Sequence, residues 1–179
     1  MAKKETIATI FGKIVKYLIK NDYSYALCGG LAVSAVVRPR ATIDIDFLIL
    51  LTSQNKKKIS KFLKHTFKNK IFIHQKLMNF GIIKFWRSVV LVKPTEVVID
   101  FIIADNPIFE KMIHRAISFN INKIKVRVIT PEDLIILKSL SARPHDIEDI
   151  KNIKKKYHNT LDKTYIKKCL HYFSQQTTV

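Results

Sequence analysis

The sequence predicts an α/β (α+β) protein, with a mixed β-sheet flanked by helices and a helical part at its C-terminal end. Three observations carry this. Strand-sized apolar runs rich in Ile, Val and Phe recur at 23–28, 42–51 and 96–103. Between them lie segments whose apolar residues return every three or four positions, the spacing of a helix with one buried face. After residue 130 only helical segments remain.

A first helix is expected over 4–21, because Ile7, Ile10, Phe11, Ile14, Val15, Leu18 and Ile19 fall on one stripe. A membrane-surface helix shows the same pattern; packing on the chain's own sheet is the reading adopted. Strand 23–28, helix 30–37, strand 42–51 and helix 55–67 follow. Shorter strands are expected near 71–75, 81–86 and 88–92, then a stronger one at 96–103, a helix at 107–117 and a strand at 123–129. Thr130 suits an N-cap and Pro131 the first helical position, while Glu132 and Asp133 favour the positive end of a helix. That helix runs to about 141, the next from Pro144 to about 157 and the last over 161–173, with 175–179 read as a frayed end. Residues 1–130 are expected to form the core with its N-terminal amphipathic helix, and 131–179 a helical part packed on it.

A hydrophobic fraction of 47% over 179 residues is ample for one core. No apolar run reaches membrane-spanning length, and the charged N-terminal stretch lacks a signal-peptide cleavage site. Cys28 and Cys169 lie far apart, outside any CxxC, and the six His show no zinc-ligand spacing. The chain therefore reads as a cytoplasmic protein with reduced thiols and no membrane partner. Its net charge of +18, with pI near 10.0, calls for a polyanionic partner. Lysines crowd 56–70, 150–158 and 162–168, with Phe62, Phe67, Tyr157 and Tyr165 among them. A solubilising surface is the plain alternative.

Chemistry concentrates in 25–49, YALCGGLAVSAVVRPRATIDIDFLI. Asp44 and Asp46 share one face of a strand whose other face carries Ile43, Ile45 and Phe47. Two like charges there are costly unless a cation sits between them. The rival is an edge strand with two solvated acids. Asp100 repeats the oddity inside EVVIDFIIA. If the two strands are neighbours, three carboxylates meet, and oxygen donors on a rigid sheet suit Mg²⁺. Three carboxylates with two such ions suit in-line displacement at phosphorus.

Gly29 and Gly30 stand between strand and helix, where backbone N–H groups can approach a phosphate. Plain turn glycines are the alternative. Arg38 and Arg40 precede the carboxylate strand and could hold phosphate or neutralise the acids. Lys138 follows Leu134 by one turn on an otherwise apolar or small stripe, so it points inward, where phosphate contact is attractive. Arg143 and Asp146 frame the next helix start, where Asp146 has a capping role as its alternative.

The succession Gly-Gly, short helix, Asp44-Ile45-Asp46 and a later strand Asp100 resembles the DNA polymerase β-like nucleotidyltransferase superfamily. The tail LIILKSLSARPHDIEDI is similar to that of nucleotidyltransferases related to the AbiEii/MenT toxins and DUF6036-type proteins. The resemblance covers 25–150. It implies a nucleotidyltransferase fold and a Mg²⁺-dependent enzyme that moves an NMP from an NTP to an acceptor hydroxyl, releasing pyrophosphate. It implies that Asp44, Asp46 and Asp100 bind Mg²⁺, with Asp100 also assisting deprotonation of the acceptor. Gly29 and Gly30 would hold the phosphates, Lys138 would contact the triphosphate, and Asp146 would support the pocket; Arg40, from the basic loop, is counted beside them as a candidate nucleotide-binding residue. Many relatives carry Gly-Ser where this chain has Gly-Gly, so backbone donors must suffice. With the positive charge, the expected acceptor is RNA, first a tRNA 3′ end, and the enzyme could be the toxin of a toxin–antitoxin pair with an acidic antitoxin partner. The alternatives are nucleotidylation of a small molecule of the aminoglycoside type or of a protein, and a basic RNA-binding module without catalysis.

Overall fold

The structure is a computed structural model that describes residues 5–39, 41–121, 123–141 and 143–176. Among the described residues fifteen elements and one 3-10 turn follow one another. They are α1 (Ile7–Lys20), β1 (Tyr25–Cys28), α2 (Gly29–Val36), β2 (Asp44–Ile49), α3 (Ser53–Phe67), β3 (Ile71–Ile73), β4 (Met78–Phe80), β5 (Ile83–Val92) and β6 (Thr95–Ile103). Then come α4 (Pro107–Arg115), β7 (Ile117–Ile121), β8 (Ile124–Val128), α5 (Pro131–Ser141), α6 (Pro144–Lys156) and α7 (Lys163–Gln176). The strands form one mixed sheet in the order β3-β5-β6-β2-β1-β8-β7, with β4 paired to the other half of β5. β2 runs parallel to β6 and β1 to β8, while β1–β2, β5–β6 and β7–β8 are antiparallel.

Helix α1 forms where its apolar stripe requires it. Thr6 caps it by accepting from the Thr9 amide, and Ile10, Phe11, Ile14, Val15 and Leu18 are buried. Phe11 stacks on Phe47 with ring centroids 6.4 Å apart, and Phe47 in turn meets Phe101 at 5.8 Å and the edge of Tyr25 at 5.7 Å. Phe62 of α3 stacks on Tyr17 of α1 at 3.8 Å. The sheet face bearing Phe47, Phe101 and Trp86 is thus the apolar one, covered by α1 and α3. The opposite face, two-residue alternation away, carries Asp44, Asp46, Asp100 and Arg87.

Helix α5 begins as its sequence demands: the Thr130 hydroxyl accepts from the Asp133 amide at 3.3 Å and donates to the Asp133 carboxylate at 2.9 Å. Asp133 is fully buried and takes a further bond from the Tyr165 hydroxyl at 2.8 Å, which ties α7 to α5. Arg115 of α4 lies over the Tyr165 ring at 4.2 Å. Burial pushes the Asp133 carboxyl up, and the bonds from Tyr165 and Thr130 only partly offset it.

Several boundaries differ from expectation. The strands expected at 81–86 and 88–92 are one continuous β5, because Arg87 and Ser88 are a polar pair inside a strand rather than a break. β4 and β7 were not expected. The strand β7, ISFNI, is largely exposed, so it shows no apolar stripe, and it takes residue 117 from the helix expected to reach it. Gln175 and Gln176 continue α7; residues 177–179 of the frayed end, and residue 4 of the first helix, lie outside the described residues.

Phe47→Ala is predicted to cost about 3–5 kcal/mol of folding stability, since it empties a fully buried aromatic site between α1 and the sheet. Urea unfolding followed by circular dichroism measures it.

Candidate active site

Strand pairing builds the site. Asp46 stands directly opposite Asp100 across the parallel β2–β6 pair, Arg87 opposite Asp100 across β5–β6, and Cys28 opposite Asp46 across β1–β2. Four adjacent strands therefore place Cys28, Asp46, Asp100 and Arg87 in one row on one face. Asp44, two residues before Asp46, lies at the exposed rim of the same face. The row floors a cavity of about 210 Å³. Its walls include Gly29 and Gly30 from α2, Lys138 and Ser141 from α5, and Arg143 and Asp146 from the start of α6.

Arg87 grips Asp100 side-on: Nε donates to Oδ1 at 2.8 Å and Nη2 to Oδ2 at 2.6 Å. This is the strong fork geometry of a guanidinium on a carboxylate. Among the described residues Asp46 has no such partner. Burial pushes its carboxyl up to about 7, with the negative charges of Asp100 and Asp44 adding to the effect and Lys138 and Arg143 opposing it. Burial and Asp46 likewise raise the Cys28 thiol well above its ordinary range, so it is a packed, unreactive group.

Gly29 is required by this arrangement. Its φ of +64° is left-handed, and a Cβ at that position would lie 1.9 Å from the Asp46 carboxylate. The backbone at the start of α2 is thereby laid against Asp46. No side chain caps that helix start, which leaves its first N–H groups directed to the cavity end of the helix.

Lys138 is buried, as its place on the stripe suggests, but it is held by carboxylates. Its Nζ lies 2.7 Å from Asp146 Oδ1 and 2.7 Å from Asp149 Oδ2. Asp146 also accepts from the Ser141 hydroxyl and from Arg143 Nε, the latter at 2.7 Å. Burial pushes the Asp146 carboxyl up, yet the bonds from Lys138, Ser141 and Arg143 outweigh it and hold the group down at about 2. Asp146 is therefore a buried hub joining α5 to α6. Arg143 is the N-cap of α6 and makes no side-chain capping bond, and Asp146 is the acid of the helix's first turn.

The structure brings Asp44, Asp46, Asp100, Gly29, Gly30, Lys138 and Asp146 to one cavity. Arg38 pairs instead with Glu148 at 3.7 Å beside a different cavity, and Arg40 lies outside the described residues. Among the described residues, the arginine that pairs with an acid of the strand row is Arg87. A lone strand arginine in KFWRSVV gives no sign of this, because the pairing register that sets it against Asp100 is not written in either strand. Asp149 and Ser141 were also missed.

A hard divalent cation fits this donor set. The donors are carboxylate oxygens on a rigid sheet, and Asp46 is a group so short of positive charge that it retains a proton to near neutrality. Among the described residues no three His, Cys, Asp or Glu side chains are already grouped as a metal cage, and both oxygens of Asp100 are engaged by Arg87.

The protein family described as nucleotidyl transferase of unknown function (DUF2204) matches residues 8–178. Solved structures share the fold. An antigenic nucleotidyltransferase-like protein from Paracoccidioides brasiliensis is 18% identical, with TM-score 0.55, over 95% of this chain and 88% of that one. The antibiotic-resistance factor ANT(2'')-Ia in solution is 13% identical, with TM-score 0.64, over 97% of this chain and 94% of its own. Its crystal structure with adenylyl-2''-tobramycin is 14% identical, with TM-score 0.61, over 96% and 99%. No curated protein matches the sequence.

Two outcomes are predicted from the site's electrostatics. The Asp46 carboxyl has a folded-state pKa raised from 3.8 to about 7, so its protonated form favours folding. That contribution is complete below about pH 4 and is lost as pH rises to about 7. In metal-free buffer Asp46→Asn should stabilise the protein by about 2 kcal/mol at pH 8 and have little effect at pH 4, read as thermal midpoints against pH. Lys138→Met should cost about 3–5 kcal/mol at pH 7, because it removes the buried ammonium that Asp146 and Asp149 share, measured by urea unfolding.

The match over 8–178 makes the chain a member of the DUF2204 family and an enzyme of the nucleotidyltransferase superfamily, with the mixed sheet flanked by helices that its sequence predicts.

Proposed function

We propose that the protein transfers a nucleoside monophosphate from an NTP to a hydroxyl of RNA, first a tRNA 3′ end, with release of pyrophosphate. The observation that carries the chemistry is the register-locked row of Asp46, Asp100 and Arg87 beside Asp44. The observation that favours RNA is the +18 charge of the chain.

In this reading Asp44, Asp46 and Asp100 would hold Mg²⁺, as two ions with the nucleotide bound. The ions would supply charge neutralisation at the phosphates and Lewis-acid help to in-line displacement. The start of α2, at Gly29 and Gly30, receives phosphate oxygens on backbone N–H groups. Asp100 accepts the proton of the acceptor hydroxyl as its oxygen bonds to the α-phosphorus and the bond to pyrophosphate breaks. Arg87 orients Asp100 for that task through its two bonds. Arg143 faces the nucleotide as a cation, while Lys138 and Asp146 fix the cavity wall, with Lys138 adding positive potential to the phosphates.

A small-molecule acceptor is the second reading, favoured by the fold shared with ANT(2'')-Ia, which is solved with adenylyl-2''-tobramycin. An acidic protein partner of the antitoxin kind suits the same excess charge. If the enzyme is a toxin, its expression arrests growth and Asp44→Ala/Asp46→Ala abolishes the arrest.

The test is label transfer from each α-³²P NTP, with Mg²⁺, to total tRNA, to tobramycin and to the protein itself. Label on tRNA is expected, reduced about 10³-fold by Asp44→Ala/Asp46→Ala and lost with EDTA. Label on tobramycin alone would replace RNA by a small molecule as acceptor.

A further inference from the structure

Behind the carboxylate face lies a wider groove, of about 930 Å³, between α3 and the β3 edge of the sheet. Trp86 forms part of its floor. It neighbours Arg87 in β5, so its side chain points away from the carboxylates. The indole is sealed: its Nε1 donates to the His74 carbonyl at 2.7 Å, and Lys56 Nζ sits 5.3 Å over the ring while bonding the Gln75 carbonyl at 2.8 Å. Above this floor Lys57, Lys61 and Lys64 line the groove from successive turns of α3. All three are exposed, and among the described residues none has a carboxylate within ion-pair distance. Among the described residues no Asp or Glu lines the groove.

The sequence around it is segregated to match. Residues 47–95 hold eleven Lys and Arg and no Asp or Glu, so this stretch supplies +11 of the net +18. A merely solubilising surface would intersperse both signs. The nucleotidyltransferase chemistry, which lies on the other face, does not use these lysines.

We propose that this groove is an anchoring track for the phosphodiester backbone of single-stranded RNA. Three lysines one turn apart along a concave wall meet successive phosphates as point charges and release counterions. A concave site with its one large aromatic sealed is poorly shaped for a membrane surface, which is met by protruding apolar groups. The track also leads toward the site. Phe72 stands opposite Val89, two positions from Arg87, so it projects on the carboxylate face at the same sheet edge, and it is 59% exposed. A strand anchored in the groove and turned over β3 meets this ring, a stacking platform for a base, on its way to Asp100. The inference deepens the RNA-acceptor reading and rests on it for the direction of the track; binding in the groove stands by itself.

The experiment compares the wild-type chain with Lys57→Gln/Lys61→Gln/Lys64→Gln and with an equal charge change on α6, Lys151→Gln/Lys154→Gln/Lys155→Gln. Affinity for a fluorescein-labelled single-stranded RNA is read by anisotropy without nucleotide, over a series of salt concentrations. The groove variant should bind about tenfold more weakly at low salt, with the slope of log K against log salt reduced by about 2; the α6 variant should change little. Equal losses in both variants, or none in the groove variant, would overturn the inference. So would preferential binding of anionic phosphatidylserine vesicles or of an acidic protein at the groove. Label transfer to the same RNA separates the two readings. Groove-dependent binding without transfer would sink the RNA-acceptor reading and leave the track, whereas transfer indifferent to the groove variant would do the reverse.

Discussion

Everything chemical in this protein depends on one registration of the sheet. Pairing β2 with β6 sets Asp46 against Asp100, and pairing β5 with β6 sets Arg87 against Asp100. Either slip by one residue would turn a charged side chain onto the face packed by Phe11, Phe47 and Trp86. The apolar face therefore enforces the polar one. Burial of Ile45, Phe47, Ile99 and Phe101, all fully buried, fixes the register that assembles the carboxylates. The consequence is an imbalance that the chain itself relieves only in part. Asp100 has its guanidinium, while Asp46, with none among the described residues, holds its proton to about pH 7. A cation-demanding point is thus built into the middle of the sheet, and the start of α2 is pressed against it through Gly29.

The C-terminal helices solve a different problem. Lys138, Asp146 and Asp149 are all buried, and they satisfy one another across α5 and α6 with Ser141 and Arg143 completing the set. Such a network specifies one docking geometry for the cavity wall, because a shift by a helical turn would strand a charge. Asp133, Thr130 and Tyr165 do the same for α5 and α7. Two buried polar hubs, rather than apolar area alone, orient the helices that border the site.

How much of this could be read beforehand follows from what each feature depends on. The shared face of Asp44 and Asp46, and the cap at Thr130, are local and follow from strand alternation and helix-end chemistry. The inward direction of Lys138 follows from its stripe. The neighbouring of β2 and β6 was legible only as a condition attached to three misplaced acids. Arg87 was invisible, because its role is a cross-strand pairing between segments with no common local signal, and its polarity made β5 look like two strands. Asp149 was equally hidden, being one acid in a helix whose partner lies eleven residues upstream. β7 escaped because an exposed edge strand carries no stripe. The net charge was plain from composition, but its concentration around one groove needed the fold to become spatial.

The most direct test of the central claim, that the strand-registered carboxylates form a cation-dependent nucleotide site, is anomalous diffraction from crystals grown with Mn²⁺ and a non-hydrolysable NTP analogue. The account predicts a manganese peak bonded to oxygens of Asp44 and Asp46, with the phosphates beside Gly29 and Gly30. An analogue bound elsewhere, with no metal at these carboxylates and the Arg87–Asp100 pair unchanged, would contradict it.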